Sequence, residues 1–170
     1  MYLEELFSLR GKVALVTGGG RGIGQAVALG LAKAGAELVI FELQPPAETI
    51  RQIEAAGGKA DGLLVDVTDE AAVHSAMQEI LARSGHLDIV FNNAGICIHT
   101  PSLEDKISDF RKVLDVNLTG EYIVAQAAAR IMVDQGIRGS IVNMASMSGS
   151  IVNIPQWQAS YNASKAGVAH

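Results

Sequence analysis

The sequence predicts an α/β fold built on a doubly wound parallel sheet. Three observations carry the prediction. Along the 170 residues, short runs rich in β-branched residues alternate with longer helical patterns. The short runs are apolar almost throughout, and a glycine-rich turn leads from the first run into the first helix. A strand that is apolar on both sides needs cover on both faces, and a parallel sheet obtains it from the helices that connect its strands. Right-handed crossovers then arrange five strands in the order 3-2-1-4-5.

The elements follow in turn. KVALVT reads as the first strand and IGQAVALGLAKAG as the helix behind it. ELVIF is the second strand, followed by the polar helix of PPAETIRQIEAAGG, where the Pro45-Pro46 pair suits a helix start because its fixed φ and missing N–H cost nothing there. ADGLLVDV and DEAAVHSAMQEILARSG give a third strand and helix. LDIVFNNAG is a fourth strand, a long helical segment runs from about Ile107 to Asp134, SIVNMAS is a fifth strand, and a last helix runs from about Ser160 to His170. Residues 1–170 read as one domain, without repeat, low-complexity stretch or linker.

Composition narrows the function. The single cysteine, Cys97, leaves no internal disulfide framework and fits a reducing compartment, so the cytoplasm is the expected location. MYLEELFSLRGK has two early glutamates and no apolar core of a secretory signal. No run approaches the roughly 20 apolar residues of a membrane span. A net charge of -5 without a basic block argues against a nucleic-acid surface, which leaves small molecules as partners. The histidines, His74 and His86 among them, show no metal-ligand spacing, so they read as exposed or capping residues and no metal site is expected.

In such sheets ligands bind beyond the carboxyl ends of the strands, so the residues that follow each strand matter most. After the first comes TGGGRGIG, Thr17 to Gly24. Glycines allow a tight turn and close backbone approach, and a helix amino end offers N–H groups and a positive dipole to a pyrophosphate. Gly18, Gly22 and Gly24 are spaced G-x-x-x-G-x-G. A glycine-rich turn without ligand is the alternative. The second strand ends in Glu42, about 20 residues on, where a carboxylate can accept from both ribose hydroxyls and would repel a 2′-phosphate. This favours NAD over NADP; Arg21, in the loop, could greet an extra phosphate, stay solvated or pair with Glu42. Asp66, closing the third strand, either accepts from an adenine amino group or belongs to a helix-capping region with Thr68 and Asp69.

The later strand ends carry the chemistry. Asn92-Asn93-Ala94-Gly95 allows a ribose to approach and can bridge neighbouring strands, or is an ordinary turn. Asn117 lies in a helical segment that an amide suits poorly, so it is either exposed or facing a polar pocket. Ser146 follows the fifth strand, and Tyr161 and Lys165 stand four apart on one helix face. A phenol with a reference pKa near 10 needs about 4 kcal/mol to be half ionised at neutral pH. A lysine at ~4 Å supplies on the order of 1–4 kcal/mol, and a cationic oxidised nicotinamide would supply the remainder.

The glycine loop, NNAG, Asn117, Ser146 and YNASK, in this order, resemble the short-chain dehydrogenase/reductase family throughout the chain. The resemblance implies a Rossmann sheet and reversible hydride transfer between a nicotinamide and an alcohol or carbonyl. It implies Tyr161 as general base in alcohol oxidation, Lys165 lowering its pKa and holding the nicotinamide ribose, Ser146 bonding the substrate oxygen, and Asn117 anchoring a water-linked proton relay. It places Gly18, Arg21, Gly22, Ile23, Gly24, Glu42, Asp66, Val67, Asn93, Ala94 and Gly95, with Tyr161 and Lys165, around the dinucleotide. The commonest family spacing would select Ser148; Ser146 is preferred because it follows the strand directly and SMSGSIVNIPQWQASY is two residues longer than usual. That loop is similar to the polyol dehydrogenase branch, including galactitol- and sorbitol-oxidising enzymes, so a polyol or ketose is the expected substrate. Asn153, Gln156, Gln158 and His99 could serve several hydroxyls, and Trp157 either covers the site or packs.

Family chains continue past this tail with the remainder of the Tyr161 helix, two further strands and a loop over the substrate. The sequence is therefore expected to be cut inside its catalytic helix, with C-terminal strands absent, a marginal last helix and the fifth strand as an exposed edge. It is either the front part of an NAD-dependent polyol oxidoreductase or a cofactor-binding fragment without turnover. The family's homo-oligomers use the Asn117 and Tyr161 helices and the last strand, so a full-length form is expected to be one.

Overall fold

The computed structural model describes residues 2–170. A short helix, α1 (Tyr2–Phe7), precedes the alternating pattern. The strands are β1 (Val13–Thr17), β2 (Glu37–Glu42), β3 (Ala60–Leu64), β4 (Ile89–Asn92) and β5 (Ser140–Asn143). They form one sheet in the order β3-β2-β1-β4-β5, and every pairing is parallel. The doubly wound α/β fold and its strand order are therefore as the sequence predicts.

The helices between them are α2 (Gly22–Lys33), α3 (Ala47–Ala55), α4 (Glu70–Ser84), α5 (Ile107–Leu114), α6 (Glu121–Asp134) and α7 (Ala159–Ala169). Pro46 immediately precedes α3, as its missing N–H favours. Asp69 caps α4 by accepting from the Ala72 N–H at 3.0 Å, and Gly85 ends it with φ +79°. The segment Ile107–Asp134 is helical throughout, but a π-turn over Asp115–Gly120 joins α5 to α6.

Central β1 is buried at every position. Because successive side chains of a strand point to opposite faces, Val13 and Leu15 enter one core, with Val73, Met77 and Ile80 of α4 and Val124 and Ala128 of α6. Ala14 and Val16 enter the other, with Ala28 of α2 and Ile53 of α3. β5 lies at the sheet's edge, with Val142 about half exposed. Among the described residues no helix is long and apolar enough to cross a membrane.

At the amino ends of the strands one carboxylate ties the sheet together. Asp88 donates its backbone N–H to Val13 O at 3.0 Å and accepts on its backbone oxygen from Ser140 N–H at 2.8 Å. Its side chain accepts from Lys12 Nζ at 2.8 Å and Val13 N–H at 3.0 Å, with His86 Nε2 at 3.3 Å. His86 is thus a member of this cluster rather than a free surface histidine. Burial raises the Asp88 pKa, but the Lys12 and Val13 hydrogen bonds and the Lys12 and His86 charges outweigh it and hold the carboxyl below its ordinary range.

A carboxyl depressed in the native state stabilises fully above its unfolded pKa, and that contribution is lost as pH falls through the native value. Asp88→Asn is expected to cost the intact protein about 1–3 kcal/mol at neutral pH. Urea melts repeated down to about pH 3 should show the gap from wild type closing; a gap independent of pH would remove the charge from this role.

Candidate active site

The residues singled out for the site stand at or beyond the carboxyl ends of the strands, on the loops and helices that follow them. β1 ends at Thr17 and the chain turns at Gly18, φ +64°. A Cβ at Gly24 would fall 2.2 Å from the Gly18 oxygen, which makes glycine a requirement there. Around Gly22, φ +57°, a Cβ would meet open space. Arg21 holds the N-cap of α2 without a side-chain cap bond, so the first N–H groups of this helix, those of Gly22, Ile23 and Gly24, are left to an anion. The cradle fits a pyrophosphate. Behind it the buried hydroxyl of Thr49 lies 3.0 Å from Gly19 O and 3.2 Å from Gly20 O, a support invisible to motif reading because it arrives from α3.

Glu42 turns to this loop. Its Oε1 accepts from Gly20 N–H at 3.0 Å and its Oε2 from Leu43 N–H at 3.2 Å. The carboxylate therefore binds loop backbone rather than the exposed Arg21 guanidinium, and two of its roughly four acceptor positions remain. Asp66 is exposed and accepts from Thr68 N–H at 2.9 Å and Thr68 Oγ1 at 2.7 Å. It shapes its own turn beside buried Val67, while the cap of α4 is Asp69.

The NNAG stretch bridges strands. Asn93 Nδ2 donates to Thr17 O at 3.2 Å and Gly18 O at 3.1 Å, and the N–H groups of Asn93 and Ala94 both reach Thr17 Oγ1 at 3.0 Å. Gly95 is exposed, and a Cβ there would sit 3.2 Å from Asn117 Oδ1. Asn117 itself is fully buried in the π-turn. Its Oδ1 accepts from Ile96 N–H at 2.8 Å; its Nδ2 donates to Ile96 O at 2.9 Å and Ser164 Oγ at 3.1 Å. The side chain is thereby consumed in fixing backbone, so any proton path at this residue has to use another of its atoms.

Beyond β5, Ser146 accepts from Ser148 N–H at 3.1 Å and stays half-buried, its hydroxyl hydrogen uncommitted. Ser148 is buried and takes Gln158 Nε2 on its Oγ at 3.2 Å. Gln158 also donates to Asn162 Oδ1 at 3.1 Å and is buried. This corrects the expectation that Gln158 serves substrate hydroxyls: its amide is spent on the loop. Gln156 and His99 are exposed, and Asn153 keeps a buried Oδ1 without a partner. Trp157 is exposed, and its backbone oxygen accepts from Thr100 N–H at 3.0 Å.

Tyr161 and Lys165 share α7, one turn apart. Tyr161 is half-buried. Lys165 is no solvated helix charge: only 3% of its side chain is exposed, and Nζ donates to Met144 O, at the end of β5, and lies 3.8 Å from Glu121 Oε2. Gly149 packs so closely on α7 that a Cβ there would fall 2.7 Å from Ala166 N, which holds the Ser146 loop against the same helix. Glu121 escaped the sequence reading; its one signal is an acid four residues beyond Asn117 in an otherwise apolar stretch. Burial pushes its carboxyl up to about 7 against the opposing pull of Lys165. Burial likewise lowers the Lys165 pKa, with Glu121 working the other way.

Residues 12–170 match the short-chain dehydrogenase family, and the chain belongs to it. It is 40% identical over 165 residues to the 2-dehydro-3-deoxy-D-gluconate 5-dehydrogenase of Escherichia coli, covering 95% of this chain and 63% of that protein. To the sorbose reductase of Candida albicans it is 41% identical over 170 residues, covering 98% and 60%. A solved structure from Agrobacterium tumefaciens with bound NADP superposes with a TM-score of 0.86 at 40% identity, over 96% of this chain and 63% of that one. The chain thus spans somewhat under two thirds of the length of these relatives.

Replacing Asn117 by leucine leaves the Ile96 N–H and C=O without their partner. Chemical unfolding of the intact protein should show a loss of about 2–4 kcal/mol; a loss under about 0.5 kcal/mol would mean that water replaces the amide.

Proposed function

We propose that this chain is the dinucleotide-binding and catalytic domain of an oxidoreductase that moves a hydride between NAD(H) and a secondary alcohol or ketone of a polyol or sugar. The observation that carries the reading is the placement of Ser146, Tyr161 and Lys165 on one loop and one helix packed together beyond β5, with the α2 cradle at the same end of the sheet after β1. Membership of the family supports hydride transfer, and NAD(H) supplies that chemistry when bound.

The chain's own residues have these roles. The α2 amino end and Gly18–Gly24 hold the pyrophosphate, and Asn93, Ala94 and Gly95 give the nicotinamide half room beside β4. Glu42 holds the adenosine ribose by its hydroxyls. Ser146 donates its free hydroxyl hydrogen to the substrate oxygen, and Tyr161 takes the hydroxyl proton during oxidation and returns it during reduction. Lys165 keeps positive charge beside the phenol and binds the nicotinamide ribose. Asn117, through Ile96 and Ser164, fixes the floor on which α7 sits. A polyol is favoured over an apolar alcohol by the Asn153 Oδ1, unpartnered among the described residues, and the exposed Gln156 and His99, set in a loop that also exposes Ile151, Val152, Ile154 and Trp157. The names of the Escherichia coli and Candida albicans relatives, a gluconate-derived dehydrogenase and a ketose reductase, lean the same way.

NAD is preferred because the Glu42 carboxylate stands beside the loop backbone, where a 2′-phosphate would meet it. The NADP-bound relative makes this the assignment to test. In the intact protein, Glu42→Ala should reduce the preference for NAD over NADP about tenfold, read as the ratio of dissociation constants; equal affinity of the wild type for both would overturn the assignment. Tyr161→Phe should lower kcat/KM for NADH formation from sorbitol, mannitol or galactitol by at least about 100-fold while NADH titration stays within about twofold of wild type. Retained turnover would remove Tyr161 from its role.

A further inference from the structure

We propose that Glu121 is a positioning residue for the reaction: its buried carboxylate is the counter-charge of Lys165 and sets how much positive charge Lys165 presents to Tyr161 and the nucleotide. The inference rests on the functional reading above. Glu121 begins α6 directly after the π-turn, its side chain 5% exposed, and Oε2 has no hydrogen-bond partner among the described residues. That oxygen lies 3.8 Å from Lys165 Nζ, itself 3% exposed. In so dry a place a neighbouring charge acts strongly. The other elements against Glu121 contribute no further charge among the described residues. β4 offers the neutral amide of Asn92, which donates to the Glu121 backbone oxygen at 3.2 Å, and β5 offers Asn143, bonded to Asn92. The face of α4 toward α6 is apolar. On α7, Tyr161 is the remaining titratable group near the pair.

The pair has a consequence that a merely structural acid would not have. While Glu121 is ionised, its charge offsets part of the ammonium of Lys165, which then favours the phenolate of Tyr161 less. When Glu121 is neutral, Lys165 acts unopposed on the phenol, but it also loses the charge that keeps its own proton. Removing the carboxylate should therefore move both limbs of the pH profile of alcohol oxidation in the same direction, toward acid.

The test uses the intact protein. In Glu121→Gln, kcat/KM for polyol oxidation should show both limbs displaced to lower pH by about one pH unit, with Glu121→Asp between variant and wild type. A uniform fall in kcat/KM with unmoved limbs would overturn the proposal. An independent arm needs no turnover: a carboxyl-carbon NMR titration of the wild type, the Glu121 signal assigned by its absence in Glu121→Gln, should find it ionising near 7 and higher still in Lys165→Met. A Glu121 signal in the ordinary carboxylate range, unmoved by Lys165→Met, would overturn the proposal even if Glu121→Gln failed to fold. Absence of turnover on every polyol, with the NMR coupling present, would instead overturn the functional reading and leave the pair standing.

Discussion

The burial of β1 on both faces is the constraint on which the rest depends. A strand with helices above and below has no exposed surface for polar side chains, so Val13 to Val16 are apolar and paired on either side. Chemistry is thereby confined to the places where strands stop. At one end Asp88 fastens β1, β4 and β5 and their approach to the sheet; at the other Thr17, Asn93, Asn117 and Ser146 follow one another around the strand termini. The proposed dinucleotide cradle follows the same rule, since α2 begins just beyond the end of buried β1.

The central strands β1, β2 and β4 were legible in the sequence because double burial leaves a plain mark of unbroken apolar runs, whereas β3 and β5, at the two edges, are largely exposed and were read from their place in the alternation. The glycine loop was legible for a similar reason, as positive φ at Gly18 and the close approach at Gly24 admit no other residue without strain. The pairing of Tyr161 with Lys165 could be read from helical periodicity alone. What could not be read depends on tertiary contact. Nothing in DVNLTG distinguishes a π-turn from ordinary helix, so Asn117 remained either exposed or buried until its partners on Ile96 and Ser164 were seen. Gln158 looks available in a polar loop, yet folding commits it to Ser148 and Asn162. Glu121 carries little in the sequence that sets it apart, yet it is buried and lies 3.8 Å from Lys165.

These differences share a cause. Apart from Asn92 Oδ1, Asn153 Oδ1 and Glu121 Oε2, the buried side-chain polar atoms of the described residues have hydrogen-bond partners, because an unpaired buried group costs about 1–3 kcal/mol. The partners come from elements distant in sequence, which local pattern does not encode. Buried polar residues such as Thr49, Asn92, Asn117, Gln158 and Ser164 are therefore the ones whose roles emerge only in three dimensions. The Glu121 and Lys165 pair is the extreme case, two ionisable groups in a dry contact that no spacing rule connects.

The three bonds of Asn117 join segments separated by 21 and 47 residues. Each reaches an atom far along the chain, so α7 keeps its place only while the loop after β4 and the π-turn keep theirs. A disturbance in either segment is thereby passed to the helix that carries Tyr161 and Lys165.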